Sequence, residues 1–181
     1  MNQSIVIPSS NGMLRAAVED EDIAEIKRLL QAGAVVNSDI RKASVINGRS
    51  DIIKLTLEGS SDTFRGDYLL LASQYGGSEM VKFVLDLLPE DPTLYRNAIM
   101  KAAEYGNTDA LDVLKTVVAE RDFTGMVLSG SVASGKIEPV KIAVEYLNSP
   151  ISWQDGCWAL IKAKRHRHSD VVTYLSSGII Q

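Results

Sequence analysis

Apolar and polar positions alternate along this chain with a long period rather than a short one. A phrase of about thirty residues recurs, in which small residues precede a turn glycine, then a hydroxyl or acid, then an apolar run. It is clearest as Ala72-Ser73-Gln74-Tyr75-Gly76-Gly77-Ser78-Glu79-Met80-Val81-Lys82 and again as Ala102-Ala103-Glu104-Tyr105-Gly106-Asn107-Thr108-Asp109-Ala110-Leu111-Asp112. Self-similarity of this period is the signature of a stacked array. Aligning the turn places it at Glu21, Gly48, Gly76, Gly106, Gly135 and Arg167, at spacings of 27, 28, 30, 29 and 32 by subtraction.

Six units follow, each predicted to hold two short helices. The first helix carries an apolar residue seven places before the turn: Leu14, Leu69, Ile99, Leu128 and Leu160. In the second unit Ile40 lies one place further away, so an extra residue is expected there. The second helices are predicted near 23–30, 52–57, 80–88, 110–118, 140–147 and 171–175. Ala17, Ala72, Ala102 and Ala103 suit close helix approach, and glycine at the turn reverses the chain without steric cost. Ser50-Asp51, Ser78-Glu79, Thr108-Asp109 and Ser169-Asp170 are expected to supply capping hydroxyls and first-turn carboxylates, and Pro139 suits the start of its helix. Helices shorter than about 12 residues are marginal alone, so stacking must hold them.

These residues resemble the ankyrin-repeat family. The best local match is Ile23-Ala24-Glu25-Ile26-Lys27-Arg28-Leu29-Leu30-Gln31-Ala32-Gly33-Ala34-Val35-Val36-Asn37. No unit retains the family's Thr-Pro-Leu-His start, and most units are three to six residues shorter than its usual thirty-three, so projecting hairpins are expected to be trimmed. The resemblance implies an all-α, ankyrin-like α-solenoid over residues 12–181, with units near 12–37, 38–64, 65–94, 95–123, 124–152 and 153–181. Residues 1–11 would be an amino-terminal extension.

In the family, partners touch the hairpin tips and the exposed end of the first helix. Carried onto this chain, that implies partner-binding positions at Glu19, Asp20, Asn47, Gln74, Tyr75, Glu104, Tyr105, Arg165 and His166. Stacking would set Tyr75 and Tyr105 side by side roughly 10 Å apart. Tyrosine is a favoured interface anchor, although a ring lying over its neighbouring helix is an equally ordinary role. The series begins acidic at Glu19-Asp20-Glu21-Asp22 and ends basic at Lys162, Lys164, Arg165 and Arg167. Such charge either orients a partner or solubilises terminal units that lack a neighbour.

Composition narrows the function classes. The chain has 181 residues, 45% hydrophobic and 23% charged, which fits one folded domain without disordered bias. A net charge of −4 makes nucleic acid an unexpected partner. One cysteine, Cys157, cannot form an internal disulfide, and the opening residues lack the charge and length of a signal peptide. No apolar run approaches membrane-spanning length. The expected location is cytoplasmic, with export by a signal-independent route left open, and no membrane is expected as a partner.

Catalytic motifs are sparse. Gly130-Ser131-Val132-Ala133-Ser134-Gly135-Lys136 satisfies the first seven places of a phosphate-binding loop, but Ile137 follows where magnesium chemistry needs Ser or Thr. The match is also in register with the repeat, so Gly135 is expected to serve as a turn. Cys157 with His166 is the other candidate pair, and it needs spatial contact and an orienting third group. Cys157 is otherwise expected to pack beside Trp158, with Trp153 and Trp158 sealing the last layer. Neither a cofactor nor a metal site is expected. The function read from the sequence is a non-enzymatic adaptor or inhibitor that binds another protein. The alternative is a small-molecule or nucleotide binder, or an enzyme, built on Cys157 and His166 or on residues 130–136. A homo-oligomer is a third possibility.

Overall fold

A computed structural model describes residues 10–61, 64–118, 124–146 and 151–177. The chain is all-helical, with twelve helices and no extended strand among the described residues. They are α1 (Ser10–Glu19), α2 (Ile23–Gln31), α3 (Ser38–Asn47), α4 (Ser50–Glu58), α5 (Gly66–Tyr75), α6 (Ser78–Leu87), α7 (Pro92–Tyr105), α8 (Thr108–Val117), α9 (Thr124–Ser134), α10 (Ile137–Tyr146), α11 (Trp153–Arg165) and α12 (Ser169–Leu175). All six second helices fall where the apolar runs predict them. Leu147 and residues 1–9 lie outside the described residues.

The six aligned turn positions all fall between paired helices, and five of them share one backbone conformation. Glu21, Gly48, Gly106, Gly135 and Arg167 have φ of 60°, 83°, 65°, 74° and 61°. This left-handed region is free for glycine and strained for glutamate or arginine, so the turn geometry persists where the sequence signal for it has gone. Gly76 is the exception. Its glycine is needed for space, because a Cβ there would lie 2.8 Å from the Ala72 carbonyl oxygen.

Packing divides the chain into two compact units, Met1–Leu71 and Ala72–Gln181, with the division inside α5. In the first unit α1 packs on α3 and α2 on α4, while α1–α2 and α3–α4 pack as hairpins. Leu14, Ala17, Val18, Ile26, Leu29, Val36, Ile40 and Ile52 form one buried cluster. In the second unit the first helices form a layer in the order α7, α9, α11, and the second helices form another in the order α6, α8, α10, α12. Each layer buries the stripe seen in the sequence. Leu69, Ile99 and Leu128 are inaccessible in their respective units, whereas Leu160 is half-buried. Gly130 lets α9 approach α7, since a Cβ there would meet that of Ala103 at 3.0 Å.

In the second unit of the repeat Ile40 lies in the buried cluster with Leu14, and Arg41, at the place seven before the turn, is buried despite its charge. Arg41 donates to the Val36 carbonyl oxygen at 3.0 Å, pairs with Asp67 at 2.9 Å and lies 4.6 Å over the Phe64 ring. A guanidinium with a carbonyl, a carboxylate and a π-face to meet is tolerable where a bare charge is not. Capping also departs from expectation. Ser50, Ser78, Thr108 and Ser169 are the first helical residues rather than caps. Side-chain caps come instead from Asp22, Asn37, Asp91, Asn107 and Ser152. Lastly, Trp153 and Trp158 do not seal the final layer; they are 71% and 66% exposed. Ala159 and Ala163 turn inward from α11 in their place.

Candidate functional site: the exposed face of the first helices

Within each unit, one register of the first helices lies toward the surface, exposed or half-buried. Relative to the turn it comprises the places nine, six and two before it, which a 3.6-residue period brings onto one side. In α1 and α3 these are Gly12, Arg15 and Glu19, then Asp39, Lys42 and Ile46. Five of them, with Ala43 and Asn47, line an open cleft of about 400 Å³ in the first unit. The register therefore faces a concavity there. In α7, α9 and α11 the same places hold Asn97, Met100 and Glu104; Met126, Ser129 and Ala133; and Trp158, Ile161 and Arg165.

Tyr75 and Tyr105 stand one place before their turns, both in the second unit. They are 40% and 46% exposed and meet edge to face, with ring centroids 5.7 Å apart and planes at 72°. This is closer than the roughly 10 Å expected from helix packing. Edge-to-face contact brings a ring's positive edge to its neighbour's negative face. It also fixes the two rings before any partner arrives. Gln74 is half-buried beside them, and Glu104 is exposed and paired with Lys101 at 2.9 Å.

At the acidic start of the chain, the charges are largely committed to local structure. Glu19 pairs with Arg15 at 2.7 Å, and Glu21 accepts from Asn47 Nδ2 at 3.2 Å and from Arg49 at 3.0 Å. Asp22 caps α2 through the Glu25 amide, leaving Asp20 as an exposed carboxylate at the turn. Arg49 also holds Asp51 at 2.6 Å, which keeps the Asp51 carboxyl below its ordinary range and the guanidinium charged. The basic end is different. Lys162 is spent on the Ser129 carbonyl and hydroxyl, both at 2.9 Å. Lys164, Arg165 and Arg167 are exposed and hold no ion pair among the described residues. His166 is exposed and stacks on His168, with centroids 5.8 Å apart.

The residue immediately after the turn has a role that sequence reading missed. Asn107 Nδ2 donates back to the Ser73 and Gly76 carbonyls at 3.0 and 2.7 Å, while its Oδ1 caps α8. Lys136 Nζ donates back to the Tyr105 and Gly106 carbonyls at 3.3 and 3.2 Å. The His168 ring lies against Gly135, so close that a Cβ there would meet it at 2.6 Å. In the first unit Arg49 reaches the Glu21 carboxylate in the same way. Each such residue ties its turn to the preceding one and so fixes the spacing of the side chains just before it. Alignment at the turn places these residues in one column, but their unlike chemistries hide the common task.

The candidate catalytic residues all lie in the second unit. Residues 130–134 are the last turns of α9, so their amides lie within a helix rather than in a phosphate-cradling loop, and Lys136 is engaged with carbonyls. Cys157 and His166 are nine residues apart on and just beyond α11, about 13 Å along its axis. Among the described residues no cluster of three or more His, Cys, Asp or Glu could hold a metal ion, and no helix is long and apolar enough to cross a membrane. No protein-family model, no curated protein and no solved structure matches the chain.

Proposed function

We propose that this protein is a non-enzymatic recognition module, an adaptor or inhibitor, built as an ankyrin-like array that holds another protein on the exposed face of its first helices. The observation that carries this reading is the recurrence of one face, left open at the same register in successive helices and concave in the first unit. Tyr75 and Tyr105 mark its centre in the second unit, with Gln74 and Glu104 beside them. Rings fixed by mutual contact and turns tied to their neighbours lose little freedom on binding, so a modest set of contacts yields useful affinity. A stable complex needs on the order of 800 Å² from each partner, which adjacent helices of one layer can supply. Arg165 and His166 extend the proposed contact region in the second unit, and Glu19, Asp20 and Asn47 are the proposed contact residues of the first.

The test is quantitative affinity capture from cell lysate with the parent protein and with Tyr75→Ala/Tyr105→Ala. Circular dichroism first establishes that the variant keeps its helix content. The expected result is a protein held by the parent and depleted at least tenfold by the variant. Equal retention would move the interface away from the tyrosines.

A further inference from the structure

We propose that the α9–α11 part of this face takes an amphipathic helix with acidic flanks, contributed by a partner protein. The proposal rests on the protein-binding reading above and adds the chemistry of the occupant. Trp158 and Ile161, three residues apart on α11, are 66% and 56% exposed, and Met126 at the matching place on α9 is 44% exposed. A single exposed apolar residue is ordinary, but several together on packed neighbouring helices form a patch. Tryptophan is the commonest interface anchor, and methionine adapts its shape to what it meets. In α1 and α3 the same places carry Gly12, Arg15, Asp39 and Lys42. Helical register therefore does not require apolar residues here.

The spacing matches a helical ligand. Neighbouring helix axes lie roughly 8–10 Å apart, and residues i and i+7 of an α-helix are separated by about 10.5 Å. A helix laid across α9 and α11 can thus set one anchor at Met126 and another between Trp158 and Ile161. Charge selects the flanks. Lys164, Arg165 and Arg167 border the carboxyl-terminal end of the patch without an ion pair among the described residues, whereas Asp155 at its other end accepts from Ser152 and Glu104, on α7, is engaged with Lys101. Carboxylates on the ligand answer that imbalance. An anionic lipid surface shares part of this chemistry, and a titration with vesicles separates the two.

The experiment uses the full chain carrying Trp153→Phe, which leaves Trp158 as its only tryptophan and fluorescent reporter. Three probes are titrated: an 18-residue helix-forming peptide with leucine along one face and glutamate on the other, its lysine-for-glutamate counterpart, and phosphatidylserine-containing vesicles. The expected result is a saturable blue shift with the glutamate peptide, weakened at least tenfold by Ile161→Ser with helix content unchanged. Lys164→Glu/Arg165→Glu should reverse the preference between the two peptides. Equal or tighter binding of the lysine peptide to the parent would overturn the proposal, as would indifference to Ile161→Ser or a shift produced by vesicles and by neither peptide. If neither peptide binds while lysate capture still depends on Tyr75 and Tyr105, the protein-binding reading stands and this occupant falls.

Discussion

At the same register positions, α1 and α3 of the first unit and α9 and α11 of the second carry different chemistry. In α1 and α3 the face is a mosaic of charge in which Arg15 and Glu19 neutralise one another. In α9 and α11 it is apolar, with Met126, Trp158 and Ile161, and positive at its border. The turns differ in the same sense. The first unit joins consecutive turns by an exposed ion pair, Arg49 to Glu21. The second joins them by half-buried bonds to backbone carbonyls from Asn107 and Lys136. One backbone plan therefore supports two kinds of surface, because the core stripe alone specifies the plan.

The largest expected effect concerns what the units share. Leu128→Ala removes a fully buried side chain and should cost about 2–5 kcal/mol, while Leu160→Ala, at the equivalent half-buried place, should cost less than half as much. Urea denaturation measures both, and equal losses would mean that α11 is as deeply packed as α9. Next comes the tie between turns. Asn107→Ala deletes a helix cap and two bonds to the preceding turn, for an expected loss of about 1–2 kcal/mol and a weaker protein interface at Tyr75 and Tyr105. A neutral result would remove the tie as a structural element.

Smaller is the gain expected at a turn that lost its glycine. At φ 61° Arg167 carries left-handed strain of about 1–2 kcal/mol, and glycine relieves it but costs about 0.5–1 kcal/mol in chain entropy. Arg167→Gly should therefore raise the melting temperature slightly, and a fall would assign the arginine a stabilising contact. The smallest effect concerns the exposed ion pairs. The Asp51 and Glu25 carboxyls are held below their ordinary values by hydrogen bonds from Arg49 and Arg28. A lowered folded-state pKa gives stability that is present above the unfolded value and lost as pH falls through the folded one. Melting temperature should drift down below about pH 4, less so in 0.5 M salt, where exposed pairs are already screened. Arg49→Gln should remove part of that drift.

Much of the helical plan was legible before the structure. The six turns, the second helices and the small-residue contacts are periodic, and each depends on local chain chemistry or on a stripe that repeats. The burial of Arg41 was not legible, because a charged side chain at a core place breaks the pattern that identifies the place. The Val36 carbonyl five residues earlier, with Phe64 and Asp67 brought from the stretch that opens α5, makes its burial tolerable. The tryptophans were read as core on residue type alone, yet the alanines of α11 face inward and leave the rings outside. Thr108 follows its helix's cap, Asn107, by one residue, a shift that hydroxyl spacing does not resolve, while α4, α6 and α12 have no side-chain cap bond.

By itself, the sequence determined that the chain is helical, where it turns and which stripe is buried, since these follow from periodicity, glycine geometry and the hydrophobic effect acting on near neighbours. The tertiary structure decided which exposed side chains share a face, which charges are already spent, and which residue ties each turn to the one before it. Those outcomes depend on contacts between residues some thirty positions apart, as from Asn107 to Gly76 or from Lys136 to Gly106, and no local pattern encodes a distance of that kind.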